Sequence, residues 1–344
     1  MRRLSGVLAA TLVAFVLTVG PAAACGGLIG PNGAVNLLRT TTLAGYSNGV
    51  EHYITAFQFA GGGGSFGSIT PLPGVPTSVV KGGDWTLQRL IRETSPQLFF
   101  ARAQAAAAPS AEELMKVRID ALDLTVLRGG AAEIGVWAKD HGFRLPPDAP
   151  EVLDFYARRS QIFLAAAFDA DAAAERGQQL GDGTPVHITI PTDDPWVPLR
   201  ILALGKNGAE RIEADVFLLT ERRPSLMPTP IGRNGLDLEH FAPATGSLLD
   251  DLRSDRDMEW VPQRGWLTKI RIDAAASQLK YDLAIDASGA GQPSRVDAGF
   301  DLPGVPPPVT ETTGLGLAIV FIAVGVAVIG GLMTVGGRRR VTAA

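Results

Sequence analysis

Cysteine is almost absent from this chain: Cys25 is the only one in 344 residues. An intramolecular disulfide is therefore excluded. The chain also has no Asn-x-Ser/Thr site, which excludes N-linked glycosylation of that type. Only four histidines are present, and none lies in an H-x-x-H or H-E-x-x-H spacing, so the sequence contains no zinc motif.

Charge is missing from two apolar stretches near the ends of the chain. The first, Leu8–Val19, follows Arg2 and Arg3 and leads to the small residues before Cys25. This pattern predicts an export signal that is cleaved between Ala24 and Cys25. At about 1.5 Å per residue, the stretch reaches about 18 Å, which is short of a hydrocarbon core of about 30 Å. An uncleaved anchor is the less favoured interpretation.

The second stretch, Leu315–Val335, has no charged residue and is long enough to cross a bilayer, with about 32 Å of helix. Arg338, Arg339 and Arg340 follow it. Basic residues collect on the cytoplasmic side, so we predict one transmembrane helix in contact with membrane lipid, a cytoplasmic C-terminus and an extracytoplasmic remainder. A buried core helix is the alternative. Ala323, Ala327 and Gly331 form a small-residue face through which the helix could pair with a second copy.

Positive charge is scarce between these two stretches. Five of the 31 basic residues are the arginines already named, and none of the 35 acidic residues lies in the end segments. The exported part therefore has a net charge of −9. An acidic surface of this kind argues against nucleic acid and anionic lipid headgroups as partners.

These features divide the chain into five parts. The parts are a signal peptide (1–24), an extracytoplasmic domain (25–287), a Pro/Gly-rich juxtamembrane linker (288–313), a transmembrane helix (314–337) and a basic cytoplasmic tail (338–344).

Within the extracytoplasmic domain, strand patterns dominate. Asn48-Gly49 and Asn207-Gly208 predict tight hairpins, because such turns need positive φ at successive residues. The predicted hairpins join Leu37–Leu43 to Val50–Phe59, and Leu199–Leu204 to Arg211–Leu219. In the last strand, the apolar side chains of Ile212, Ala214, Val216 and Leu218 share one face, and Arg211, Glu213 and Asp215 share the other. This alternation predicts a half-buried antiparallel sheet.

Helices are fewer. Asp84 is expected to cap one that contains Leu87 and Leu90, a second is expected over Glu133–His141, and a third begins at Asp148. A weaker fourth covers Leu248–Arg253. Separate helices and antiparallel strands predict an α+β fold, rich in antiparallel sheet, followed by the membrane helix.

The chain contains a set of short motifs: Cys25-Gly26-Gly27, Arg39–Thr42, Gly49–Tyr53, Ser68–Pro76, Gly82–Leu90 and Pro195–Ile201. Together these motifs resemble the bacterial family called domain of unknown function 2330. The resemblance implies an exported, often membrane-anchored bacterial protein with no assigned activity, and it supplies no site residues. Many members have a second cysteine five residues after the first, where this chain has Gly30. A pairing or metal role for two cysteines is thus excluded here.

Cys25 has a second interpretation. Ala22-Ala23-Ala24-Cys25 is a loose version of the bacterial lipoprotein cleavage box, so Cys25 is a candidate for lipidation. The transmembrane helix already anchors the chain, which weakens that hypothesis.

No motif for catalysis, cofactor binding or metal binding is convincing. Gly63–Gly67 satisfies G-x-S-x-G, but an extended, proline-broken segment follows where a nucleophile elbow needs a helix. His52 and His187 are expected on strands, His52 as a packed histidine. An acidic cluster could bind Ca²⁺, but Arg253 and Arg256 interrupt it, so a solvated helix face is favoured. The cluster comprises Asp250, Asp251, Asp255, Asp257 and Glu259.

The sequence therefore predicts a single-pass membrane protein of the bacterial cell envelope that presents a binding or structural module. No catalytic residue and no cofactor is assigned. An extracytoplasmic hydrolase, whose site is assembled only by folding, is the alternative. A third class is an accessory subunit whose helix pairs with another membrane protein. The ligand and any protein partner are not identified by the sequence.

Overall fold

The computed structural model describes residues 22–23, 27–31, 33–34, 39–58, 65–95, 116–169, 172, 175 and 183–302. Two large sheets form its centre. The larger has eight strands. Seven follow the order β15 (Leu236–Pro243), β16 (Trp266–Ala275), β13 (Arg211–Thr220), β4 (Arg39–Ser47), β5 (Val50–Gln58), β11 (Gly183–Pro191) and β7 (Ser78–Lys81), and β1 (Ala22–Ala23) lies beside β4.

The second sheet has six strands and a third sheet has three. The second follows the order β3 (Gly33–Ala34), β2 (Gly27–Gly30), β6 (Phe66–Leu72), β10 (Ile162–Phe168), β9 (Leu122–Arg128) and β8 (Lys116–Ile119). The third contains β12 (Trp196–Val197), β17 (Leu283–Asp286) and β14 (Ser225–Met227). Within the described part of the chain, every strand pairing is antiparallel except β1 with β4 and β13 with β4.

Within the described ranges, four helices with defined bounds accompany these sheets. They are α1 (Thr86–Thr94), α2 (Ala131–Asp140), α3 (Ala149–Ala157) and α4 (Gly246–Arg253), with short 3-10 turns at Arg200–Ala203 and Ala276–Gln278. The sheet-rich α+β prediction is confirmed for the described residues. Among those same residues, no helix combines the length and apolarity needed to span a bilayer. The predicted membrane segment Leu315–Val335, with Ala323, Ala327 and Gly331, and the basic residues Arg338, Arg339 and Arg340 lie outside them.

The larger sheet buries both of its faces, because successive side chains of a strand point in opposite directions. On β13, Ile212, Ala214, Val216 and Leu218 join the core between the two large sheets, as the alternation predicted. Phe217 and Leu219 face the other way, toward the leucines of α1 and α4. On the outer side of the second sheet, the ring of Tyr156 in α3 meets that of Phe163 in β10.

One of the two predicted hairpins is confirmed. Asn48 and Gly49 have φ values of 53° and 77°, and they join β4 to β5 with Ser47 opposite Val50. The second prediction is wrong, because Arg200–Ala203 forms a 3-10 turn instead of a strand. The carboxylate of Asp282 accepts the backbone N–H groups of Leu199 and Arg200, and these tertiary bonds take the place of a strand ladder.

The starts of two helices are capped in different ways, one by a local residue and one by a distant residue. Thr245 caps α4 by accepting the N–H of Leu248, which is a local bond. The prediction that Asp84 caps α1 is wrong, because its side chain instead pairs with Arg256. Asp255 takes the capping role from a loop 171 residues away, where it accepts the N–H of Asp84 and the N–H of Trp85.

The compact unit continues to Pro303, beyond the boundary expected at residue 287. Ala298, Phe300 and Leu302 are buried, and the ring of Phe300 packs edge-on against Tyr281. The Gly- and Pro-rich composition therefore marks turns folded onto the domain over residues 288–302. At the other end, a mature chain that starts at Cys25, as the sequence predicts, would lack β1.

Candidate functional site

Strand β5 carries two titratable residues in unusual positions. Glu51 and His52 are neighbours in the sequence, so their side chains point to opposite faces of the larger sheet. Glu51 faces the core between the sheets, together with Tyr53. His52 faces the side covered by α1 and α4, where Ile54 also lies. One short segment thus places an acid and an imidazole in two separate buried environments.

The register between β5 and β11 brings His52 to a second histidine. His187 lies opposite Ile54, and Thr189 lies opposite His52, so the two histidines are diagonal neighbours on one face. The distance between His52 Nδ1 and His187 Nε2 is 3.0 Å, a hydrogen bond in which one ring donates and the other accepts. His187 is only 3% exposed, whereas His52 is half-buried.

Trp260 completes this group, which we call the histidine cluster (His52, His187 and Trp260). Its ring stacks on His52 with 4.0 Å between centroids and 4° between planes. Met258 and Val261, on either side of Trp260 in the chain, are buried against the same face of the sheet. Gly45 on β4 leaves room for the indole, because a Cβ at that position would overlap the ring.

Both imidazoles are neutral at pH 7. Burial, with a smaller effect from the neighbouring His187, lowers the pKa of His52 to about 3. Burial also lowers the pKa of His187 to about 4, against an opposing attraction from the carboxylate of Glu259. His187 Nδ1 and Trp260 Nε1 are buried and have no hydrogen-bond partner in the described part of the chain. Such unpaired groups are costly in a core, so the cluster is more than apolar packing.

Glu51 is the second unusual group. It is fully buried, and neither carboxylate oxygen has a hydrogen-bond partner among the described residues. Burial raises its pKa to about 8, against a smaller lowering by the backbone amide of Trp196. Glu51 is therefore largely protonated at neutral pH, and it lies between Tyr46 of β4 and Ile190 of β11.

A buried ion pair has a structural role. Arg159 and Asp282 are 1% and 0% exposed and contact each other directly. The other oxygen of Asp282 accepts the hydroxyl of Tyr156 at 3.0 Å. The Arg159 guanidinium also lies over the ring of Trp196, 4.3 Å from its centroid, and donates to the carbonyl of Asp297. The pair thereby joins α3 to the last described segment of the chain.

The acidic cluster suggested by the sequence is used in pairing. Asp250 contacts Arg253 and Asp251 contacts Arg89, while Asp255 caps α1. Within the described ranges, no group of three or more His, Cys, Asp or Glu side chains is arranged to hold a metal ion. Three of the five acidic residues in this cluster are therefore engaged in ion pairs or in helix capping.

The remaining candidates are dispersed. Ser65 is exposed and leads directly into strand β6, so the G-x-S-x-G segment is not followed by the helix of a nucleophile elbow. His141 ends α2, with its Nδ1 2.8 Å from the carbonyl oxygen of Trp137. His240 lies on the edge strand β15. Ala24 and Cys25, the predicted cleavage and lipidation positions, lie outside the described residues.

Sequence reasoning placed His52 and His187 on strands but did not bring them together. It missed Trp260 and Glu51 as members of buried polar groups. A partial signal existed, since Glu51 is an ionisable residue on the same face of β5 as Tyr53.

Comparison with known families decides the relationship of this chain. A model described as "Uncharacterized protein conserved in bacteria (DUF2330)" matches residues 19–226. The chain belongs to this bacterial family. The matched region contains Glu51, His52 and His187, whereas Trp260 and Asp282 lie beyond it. Strands β16 and β17 also lie beyond it, yet they pair with β13 and β12. The folded unit is therefore larger than the matched region.

Other comparisons give no functional lead. No curated protein matches the chain. Among solved structures, baculovirus P35 is similar at 10% identity and a TM-score of 0.36, over 72% of this chain and 90% of that chain. A mutated baculovirus P35 after caspase cleavage gives 7% identity and a TM-score of 0.37, over 72% and 99%. These values are too low to carry an argument about this protein.

Proposed function

We propose that this family member is a single-pass membrane protein of the bacterial cell envelope that presents an extracytoplasmic, non-catalytic binding or structural domain. The observation that carries the proposal is the uncharged stretch Leu315–Val335 followed by Arg338, Arg339 and Arg340. The predicted export signal supports the same orientation.

The end of the domain suits attachment through a C-terminal tether. Residues 282–302 lead toward the predicted membrane helix, and the buried ion pair with Arg159 fixes Asp282 to α3. Arg159 also holds the carbonyl of Asp297. A force applied at the C-terminus would therefore act on buried contacts and not on a loosely packed end.

A hydrolase remains the alternative function, and the histidine cluster bears on it. A catalytic imidazole must reach the group whose proton it moves. The hydrogen bond between His52 and His187 joins two imidazoles and involves no hydroxyl nucleophile. This arrangement favours binding over hydrolysis.

The proposal is tested by membrane extraction and protease protection. We expect the full-length protein to stay in the membrane pellet after carbonate washing, and its domain to be digested in spheroplasts by added protease. A Val324→Arg/Val328→Arg variant in a Cys25→Ser background should be released, because each central arginine opposes insertion by about 2.5–3.5 kcal/mol. Val324→Leu/Val328→Leu in the same background is the matched control. Release of the wild-type protein by carbonate, or a protected domain, would overturn the proposal.

A further inference from the structure

We propose that the histidine cluster is a binding site for a divalent transition-metal ion, with His52 Nδ1 and His187 Nε2 as its two protein ligands. This inference gives a ligand to the binding domain proposed above. Imidazole nitrogen is a preferred ligand of Cu²⁺, Ni²⁺ and Zn²⁺.

The spacing of the two nitrogens fits a shared ion. They are 3.0 Å apart. With metal–nitrogen bonds of about 2.0–2.1 Å, this separation corresponds to an angle of about 95° at the metal. Adjacent positions in a square-planar or tetragonal site subtend a similar angle, which favours Cu²⁺ or Ni²⁺ over tetrahedral Zn²⁺.

The surroundings hold both rings in place before an ion arrives. The two histidines project from adjacent paired strands, and the indole of Trp260 stacks on His52. The carboxylate of Glu259 adds a negative charge that acts on His187 and partly offsets the cost of a positive charge in this buried position. The side chain of His52 is half-buried.

The ion would keep open positions. Within the described residues no third His, Cys, Asp or Glu is placed to complete a ligand set. The remaining positions would be taken by water or by an exogenous ligand. This geometry suits a site that exchanges its ion or holds a small ligand through the metal, and not a closed structural site.

Copper titration of the full-length protein in detergent, made without a polyhistidine tag and with Cys25→Ser, tests the inference. We expect one Cu²⁺ per chain, with an electron paramagnetic resonance spectrum that shows two imidazole nitrogens. His52→Gln and His187→Gln should each weaken binding at least about tenfold. His240→Gln, on the edge strand, is the matched control and should bind as the wild type does.

A second readout keeps the test decisive if the histidine variants fail to fold. Bound Cu²⁺ should quench the fluorescence of Trp260, and Trp260→Phe should lose that quenching while it keeps the copper spectrum. Absence of stoichiometric binding, a spectrum with fewer than two imidazole nitrogens, or full binding in both histidine variants would overturn the inference. None of these results affects the carbonate and protease experiments, so the two proposals fail separately.

Discussion

At the scale of single residues, this protein has polar side chains at buried positions that apolar side chains would ordinarily occupy. Glu51 is buried as a protonated acid, and His52 and His187 are held as neutral imidazoles. Each costs free energy of folding that a leucine would not. The two histidines are the ligands of the metal site proposed above.

Replacing Glu51 by glutamine should remove a pH-dependent destabilisation. The folded pKa of about 8 lies above the ordinary value of 4.5. The folded state therefore keeps a proton that the unfolded state loses, and its stability falls as pH rises from about 4.5 to 8 and is constant above that. Glu51→Gln should unfold at nearly the same urea concentration as wild type at pH 4.5. At pH 8 it should be more stable by a few kcal/mol, on the order of 1.4 kcal/mol per pH unit crossed.

Glu151→Gln serves as the control for this experiment, because Glu151 is largely exposed on α3. A wild-type pH profile that runs parallel to that of Glu51→Gln would contradict the buried acid.

Gly45 should tolerate no side chain while Trp260 is present. A Cβ at Gly45 would overlap the indole that stacks on His52. We expect Gly45→Ala to lower the free energy of unfolding by about 1–3 kcal/mol. The loss should shrink when Trp260→Ala is added, as a double-mutant cycle would measure. Additive losses would show that the two positions do not touch.

At the scale of elements, a distant side chain fixes the start of α1, whereas Thr245 caps α4 locally. The loop after α4 supplies both Asp255, which caps α1, and Trp260, which covers His52. One loop therefore sets the position of a helix and the shape of the histidine cluster.

Asp255→Ala should destabilise the protein far more than Asp84→Ala. Asp255 accepts two backbone N–H groups and the hydroxyl of Thr86 at 2.7 Å. Its loss should cost about 2–3 kcal/mol, because charged hydrogen bonds at a helix start are removed. Asp84→Ala breaks only a surface pair with Arg256 and should have little effect on thermal unfolding. Equal losses of stability in the two variants would indicate that Asp84 is the cap of α1.

At the scale of the whole molecule, the C-terminal segment is secured by charge. Arg159→Met would leave Asp282 buried without its counter-ion, and we expect a loss of about 3–5 kcal/mol in urea unfolding. Arg295→Met, which breaks the exposed pair with Asp301, should leave the stability nearly unchanged. Similar small effects of both changes would show that the ion pair does not hold the segment.

Local sequence patterns predicted several elements correctly, and they gave wrong predictions where distant residues supply the deciding hydrogen bonds. The two-residue turn at Asn48-Gly49 and the core-facing side of β13 depend on adjacent residues, and both predictions are confirmed. The prediction of a half-buried sheet is wrong at β13, because α1 and α4 cover the opposite face of the strand. The expected strand Leu199–Leu204 and the cap at Asp84 failed. Asp282 and Asp255, far away in the chain, supply the bonds that decide those segments.

The sequence by itself determined the α+β class, the faces of the strands and the apolar stretches on which the membrane proposal rests, because these depend on the spacing of neighbouring residues. Only the tertiary structure decided which buried polar groups meet. His52 and His187 are 135 residues apart, and Arg159 and Asp282 are 123 residues apart. Strand register and packing bring such residues together, and no short segment of the chain encodes either.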